Sequence, residues 1–220
     1  MKNNKRIEII IWILAAAPLI VTAFLYGSLP EQVPMHWNIN GEIDSWGGRA
    51  SAFYIPLLTI GLSLLLKFLP LFDPKRRNYA RFGGAYDAVR LVLVLFMGLI
   101  SGIVLYGAYN PESAAVNILV PAGIGLLFAV IGNFMPKFKH NYFVGVKTPW
   151  TLANEEVWRR THRLAGVIWF WGGLLMTLSA FIIPESLFFI VFMSGVAVLA
   201  LVPAVYSYII FHRIDKSSGQ

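Results

Sequence analysis

Six apolar runs, each long enough to cross a bilayer, constrain this chain more than any other feature. They fall at about Ile7–Tyr26, Ser51–Phe72, Val89–Tyr109, Ala115–Met135, Leu164–Ile183 and Ser186–Phe211. At a rise of 1.5 Å per residue, roughly 20 apolar residues span a hydrocarbon core of about 30 Å. Lipid offers backbone N–H and C=O groups no partner, so a run of this kind must be a helix that satisfies them internally. Composition agrees: 57% of the 220 residues are hydrophobic and 13% charged, with a mean hydropathy of +0.66. The first run continues past Ala15-Ala16-Ala17-Pro18 and is too long for the apolar core of a signal peptide, so it is read as a retained span.

The formal charge of +7 invites a nucleic-acid reading until its placement is considered. Sixteen of the 18 Lys and Arg residues fall on one side of the six runs: Lys2, Lys5 and Arg6 at the start; Lys75, Arg76, Arg77, Arg81 and Arg90 after the second run; Lys137, Lys139, Lys147, Arg159, Arg160 and Arg163 after the fourth; Arg213 and Lys216 in the tail. Arg49 lies on the other side, and Lys67 is expected to snorkel from the second span. This bias places both termini in the cytoplasm and explains the basic balance without nucleic acid. The expectation is an all-α, polytopic membrane protein with six transmembrane helices. Two modules follow, 1–88 with an extracellular loop at 27–50, and 89–220 with a cytoplasmic loop at 136–163.

What the spans lack also narrows the function. Asp and Glu occur only near their ends, as Glu8 and Asp87, which disfavours an ion-coupled carrier built on intramembrane acids. Cysteine is absent, removing disulfides and thiolate chemistry. No P-loop, HExxH or GxSxG motif occurs, and neither a cofactor nor a metal is expected. Pro18, Pro56, Pro121 and Pro203 suggest kinks, and Gly98-x-x-x-Gly102 is read as a surface for close packing within the chain.

Two polar connections hold the remaining information. The outer one, SLPEQVPMHWNINGEIDSWGGRA, has helix-breaking Pro30 and Pro34, an Asn40-Gly41 turn signal, and Trp37 and Trp46 suited to the interface. His36, Glu42 and Asp44 could meet a metal, but a compact polar loop is the preferred reading. The inner connection, Gly132 to Gly166, concentrates Lys, Arg, Trp and paired Glu. Pro149 drives Thr148 out of the α region, so Thr151 is expected to cap a helix starting at Leu152, with Glu155 and Glu156 at its positive end. That helix is expected to lie in the interface before entering the fifth span.

Pro34-x-His36-Trp37 with Asn38, Gly41 and Asp44 resembles the small domain of unknown function that often forms the N-terminal half of SdpI-like membrane proteins. Gly132-Asn133, then Asn141-x-x-x-Gly145-x-Lys147-Thr148-Pro149-Trp150-Thr151-Leu152, then Glu156-x-Trp158, resembles the signature of the SdpI family itself. The resemblance implies a multispanning protein of the bacterial cytoplasmic membrane that protects its host from a secreted, membrane-active peptide toxin of the sporulation-delaying kind. In the signalling version of the family it also implies recruitment of an ArsR-type repressor to the membrane. Carried onto this chain, Asn133, Asn141, Gly145, Lys147, Thr148, Pro149, Trp150, Thr151, Glu156 and Trp158 form the candidate docking or relay surface. Pro34, His36, Trp37, Asn38, Gly41 and Asp44 form the candidate toxin-facing loop. The expected partners are thus the lipid bilayer, a peptide toxin and a repressor, with no direct nucleic-acid contact.

Two other classes compete. Glu155-Glu156-x-x-x-Arg160 matches the EExxxR pattern of intramembrane CAAX-type proteases, but His36, His140, His162 and His212 do not fall where those enzymes place their histidines on other spans. A small-molecule or peptide carrier is the second alternative.

Overall fold

The computed structural model describes residues 5–113 and 115–217; Lys2, counted above among the basic residues, lies outside them. Seven α-helices and one hairpin occur in the order α1 (Lys5–Leu25), β1 (Gln32–Trp37), β2 (Ile43–Gly48), α2 (Tyr54–Phe68), α3 (Gly83–Tyr109), α4 (Ala115–Phe134), α5 (Pro149–Ala153), α6 (Glu155–Ile182) and α7 (Glu185–Ser217). Six helical segments are long and apolar enough to span a membrane, so the chain is a multi-pass membrane protein. Six crossings bring both ends to one face, the terminal face, and leave the hairpin on the other.

The hairpin is the one paired-strand element among the described residues of an otherwise helical chain. Gln32 to Pro34 pair antiparallel with Gly48 to Trp46, and irregular register follows on either side of His36. Asn38 makes the turn: its Oδ1 accepts the N–H groups of Asn40 (2.9 Å) and Glu42 (3.0 Å), while Gly41 takes φ +76°, a left-handed value suited to glycine. Asn117 of α4 donates to the Asn40 carbonyl (3.0 Å) and ties the turn down.

α3 and α6 begin earlier than hydropathy alone indicates, α3 at Gly83 rather than Val89. α6 starts at Glu155 rather than near Leu164, so the charged turns belong to the fifth span itself, and the short helix before it is α5. Asn154 caps α6 by accepting the N–H groups of Glu156 (2.8 Å) and Val157 (3.2 Å), which lets the charged turns join the apolar ones without a break. Pro18, Pro121 and Pro203 lie inside α1, α4 and α7. Pro56 is the third residue of α2, in the first turn, where proline is tolerated without a kink.

α1, α2 and α3 pack against one another; α3 meets α4, α4 makes its most extensive contact with α6, and α6 carries α7. Glycines set the α4–α6 seam. A Cβ on Gly125 would lie 2.6 Å from the Thr177 nitrogen, and one on Gly132 would lie 2.5 Å from that of Phe170. In lipid such approach replaces the hydrophobic effect as the source of helix association. The Gly98 and Gly102 pair does not serve this purpose: a Cβ on Gly102 would meet nothing within 4 Å, and one on Gly98 only Pro18 at 3.9 Å.

Ionic contacts join α1, α2 and α3. Arg90, 2% exposed, donates to Glu8 (2.8 Å) and Asp87 (3.3 Å). Lys67, in the last turn of α2, reaches Glu8 in the first turn of α1 at 3.2 Å and lies over the Trp12 ring. Buried charges are held where each has an opposite partner, and removing one leaves the other exposed to a low dielectric.

Gly125→Leu is expected to lower the stability of the α4–α6 seam by about 1–3 kcal/mol through overpacking. Gly61→Leu, at a position where a Cβ meets nothing within 4 Å, should leave it near wild type. Thermal unfolding in detergent compares the two.

Candidate functional site

The terminal face holds the largest buried cluster of the molecule, in which Tyr79, Phe82 and Tyr86 from the first half meet Met135, Phe138 and Trp158 from the second. Above it the connection between α4 and α6 folds into a closed loop. Asn141, fully buried, is its hub. Its Oδ1 accepts the N–H groups of Phe143 (2.9 Å) and Val144 (2.7 Å) and the Tyr79 hydroxyl (3.4 Å), and its Nδ2 donates to the carbonyls of Lys139 (2.9 Å) and Val144 (3.0 Å). An asparagine side chain here does the work of missing secondary structure.

Asp73, in the α2–α3 connection, locks this loop to the first half. One carboxylate oxygen accepts the Lys75 N–H (2.7 Å); the other accepts the Tyr142 N–H (2.9 Å) and the Tyr79 hydroxyl (3.0 Å). Burial, reinforced by the Asp73 charge, raises the Tyr79 phenol above its usual range, which keeps the donor protonated. Asn78 adds a bond to the His140 carbonyl (2.7 Å), and Lys75 Nζ donates to His140 Nδ1 (2.7 Å), which leaves the ring proton on Nε2. Burial first, and then the Lys75 ammonium, lower the His140 pKa from its ordinary value of 6.5; the Glu155 carboxylate 3.6 Å away opposes them.

A second histidine is enclosed by α6 itself. His162 Nδ1 donates to the Trp158 carbonyl (2.8 Å), its Nε2 accepts the Val146 N–H (3.1 Å), and its ring stacks on Trp158 at 4.0 Å. Gly145 makes room for it: the residue has φ +112°, and a Cβ there would collide with His162 Nε2. The indole N–H of Trp158 donates to the Phe138 carbonyl (2.9 Å).

The short helix α5 is capped by Thr148, not Thr151, and starts at Pro149, not Leu152. Thr151 completes a capping box by accepting the Thr148 N–H (2.9 Å), while Thr148 Oγ accepts the Thr151 N–H (3.2 Å). Pro149 fits the first helical position because its missing N–H is not needed there. Thr148 Oγ also hydrogen-bonds Ser207 Oγ of α7 (2.9 Å), and the Trp150 ring meets Tyr208 edge-on at 5.0 Å. Glu156 receives Arg159 Nη2 and Arg160 Nε, both at 2.6 Å, so it is committed to ion pairs at the helix start, and Glu155 is exposed.

The structure thus separates the residues singled out in the sequence. Asn141, Gly145, Thr151 and Trp158 build the loop from within, and Trp158 at 2% exposure faces no partner directly. Lys147, Pro149, the half-buried Trp150 and Glu156 lie toward the surface, with exposed Arg159 and Arg160 beside them; Asn133 is exposed in the last turn of α4. On the opposite face, His36 Nδ1 and Asp44 pair at 2.6 Å while Glu42 accepts from Asn38 (2.9 Å), so these three groups do not converge. Among the described residues no group of three His, Asp or Glu could hold a metal ion. Pro34 and Trp37 seat against Gly107 of α3. Asp73, Tyr79, His162 and Ser207 were missed in the sequence. Only the glycine opposite His162 was visible, since contacts between separate connections and helices leave no periodic trace.

The fold and this loop define a six-span membrane protein with a polar platform locking its two halves at the terminal face. Residues 137–207 match the SdpI/YfhL protein family and residues 13–60 match a domain of unknown function, DUF1648. Both halves of the chain therefore carry a match, and the SdpI/YfhL match takes in the polar loop, α5, α6 and most of α7. It is similar to Immunity protein SdpI of Bacillus subtilis (strain 168), with 24% identity over 219 residues, covering 100% of this chain and 99% of that protein. No solved structure matches it.

Two outcomes test the platform. Asn141→Ala removes both carboxamide atoms from five hydrogen bonds and should cost about 3 kcal/mol or more, seen as faster hydrogen exchange at the Phe143 and Val144 amides. Because the His140 pKa is lowered on folding, its protonation favours the unfolded chain. Stability is therefore fully present above pH about 6.5 and falls as the pH drops below that, toward the lowered folded value. His140→Gln should flatten this window in melting temperature against pH.

Proposed function

We propose that this chain is an immunity protein that protects the cell against a secreted, membrane-active peptide toxin. The single observation carrying this reading is full-length similarity to an immunity protein, now joined to a fold whose two faces are built differently. The hairpin face, nearly free of basic residues, is placed outside; the terminal face, with its Lys and Arg belt, is placed in the cytoplasm. Residues 1–88 and 89–220 act as two modules. The first offers the hairpin motif of Pro34, His36, Trp37, Asn38, Gly41 and Asp44 to the toxin, and the second carries the platform.

The platform is the relay. Buried Asn141, Gly145, Thr151 and Trp158 hold a surface made of Lys147, Pro149, Trp150 and Glu156, onto which an ArsR-type repressor docks when toxin is bound. Such coupling requires the toxin to prefer one of two helix arrangements. The loop's bonds to Asp73 on one side and Ser207 on the other supply the parts that would be rearranged. The role is non-catalytic: Glu156 of the EExxxR segment is neutralised by two arginines, an arrangement that supports an ion-paired helix start rather than a water-activating acid.

Toxin-sensitive cells expressing the chain should survive challenge with a sporulation-delaying peptide. Asp44→Ala should lower protection by about tenfold at unchanged membrane abundance, the loss of one useful interfacial contact. Trp150→Ala should keep protection while lowering the membrane-bound fraction of the repressor. If both variants behave as wild type in survival and in fractionation, the faces are assigned wrongly.

A further inference from the structure

We infer that the cavity between α3 and α4 beneath the hairpin is an anchor site for an apolar segment of a positively charged, membrane-active peptide; this rests on the immunity reading above and locates its binding step. The cavity holds about 270 Å³, and its apolar walls include Leu99, Gly102, Ile103, Tyr106 and Leu119, with Trp37 of the hairpin at its mouth. That volume suits one large or two small apolar side chains.

Gly102 forms an open ridge, where a Cβ would meet nothing within 4 Å, and it also borders a neighbouring groove of about 360 Å³ between α1 and α3. Ser101 lines that groove. Its hydroxyl, 2% exposed, has no hydrogen-bond partner among the described residues. A buried polar group without a partner is costly, and a chain laid across the ridge would supply one. The two hollows meet at Gly102 of α3.

The rim selects the occupant. Glu42 is hydrogen-bonded to Asn38, the neighbour of Trp37; Asp44 pairs with His36; Glu112 precedes Ser113, which lines the cavity. The basic residue of this face, Arg49, is turned to the Pro30 carbonyl (3.5 Å) and the Tyr26 ring. An acidic rim repels the anionic headgroup of a phospholipid and draws a cationic peptide, while the apolar hollow beneath takes its anchor. Trp37 and Tyr106, each with an apolar body and a polar tip, suit the boundary between the two.

The chain contains no cysteine, so Leu119→Cys gives a unique attachment point for a benzophenone maleimide. In lipid nanodiscs this full-length variant should photocross-link to a synthetic sporulation-delaying peptide. Gly102→Leu, which fills the hollow from α3, should weaken binding of that peptide by about tenfold or more, the equivalent of losing one buried apolar anchor. Leu119→Trp fills it from α4 and should do the same, guarding against misfolding of either variant. Glu42→Gln with Glu112→Gln should weaken binding at low salt and reduce its salt dependence. Wild-type affinity in both filled variants, with cells still protected, would overturn the anchor site and leave the immunity reading standing. Wild-type protein that neither binds nor protects would remove both.

Discussion

The Asp73 carboxylate is the contact on which the terminal face depends. It is buried, and it gathers two backbone N–H groups and a phenol from two connections separated by almost seventy residues. A carboxylate in this position has little access to water, so the donors around it must be present together or its burial becomes unfavourable. Tyr79 hands the constraint on to Asn141, and Asn141 closes the loop. The bilayer-spanning halves are therefore tied together outside the apolar region, by polar groups that lipid could not satisfy.

Within the spans a different balance holds. Apolar side chains gain little by leaving lipid for one another, and much of the apolar surface of α7 faces outward accordingly. Association comes from close approach at Gly125, Gly132 and Gly173, and from the Glu8, Arg90, Asp87 and Lys67 contacts that join α1 to α3. The same glycine type has the opposite consequence at Gly102, where close approach is permitted and the chain leaves it unused.

Six spans were legible from hydropathy because lipid permits few alternatives to a helix for an apolar run of that length. The start of α6 was not, since Glu155, Arg159 and Arg160 interrupt the hydropathy while Asn154 fixes the helix start through a cap. The hairpin was legible only as turns: Asn40-Gly41 marks the bend, but its strands are six residues each and irregular beside His36. In the loop, Thr148, Pro149 and Thr151 announced a helix start, displaced by three residues because either threonine can serve as cap. Trp158 read as a docking residue because exposure leaves no mark in a sequence. Its burial is set by partners at Phe138 and His140 that only the folded chain brings near.

Of the long spanning helices, α1, α4 and α7 each contain an internal proline, whereas α3 and α6 contain none. α3 carries the hairpin on Gly107 near one end and Phe82, Tyr86 and Val89 of the platform core at or beside the other. It is, in mechanical terms, a stiff strut of 27 residues and about 40 Å loaded at both tips. With no internal proline, its compliance is concentrated at Gly98 and the Ser101-Gly102 pair in mid-membrane, so a load on the hairpin reaches Tyr86 through whatever bending those residues permit.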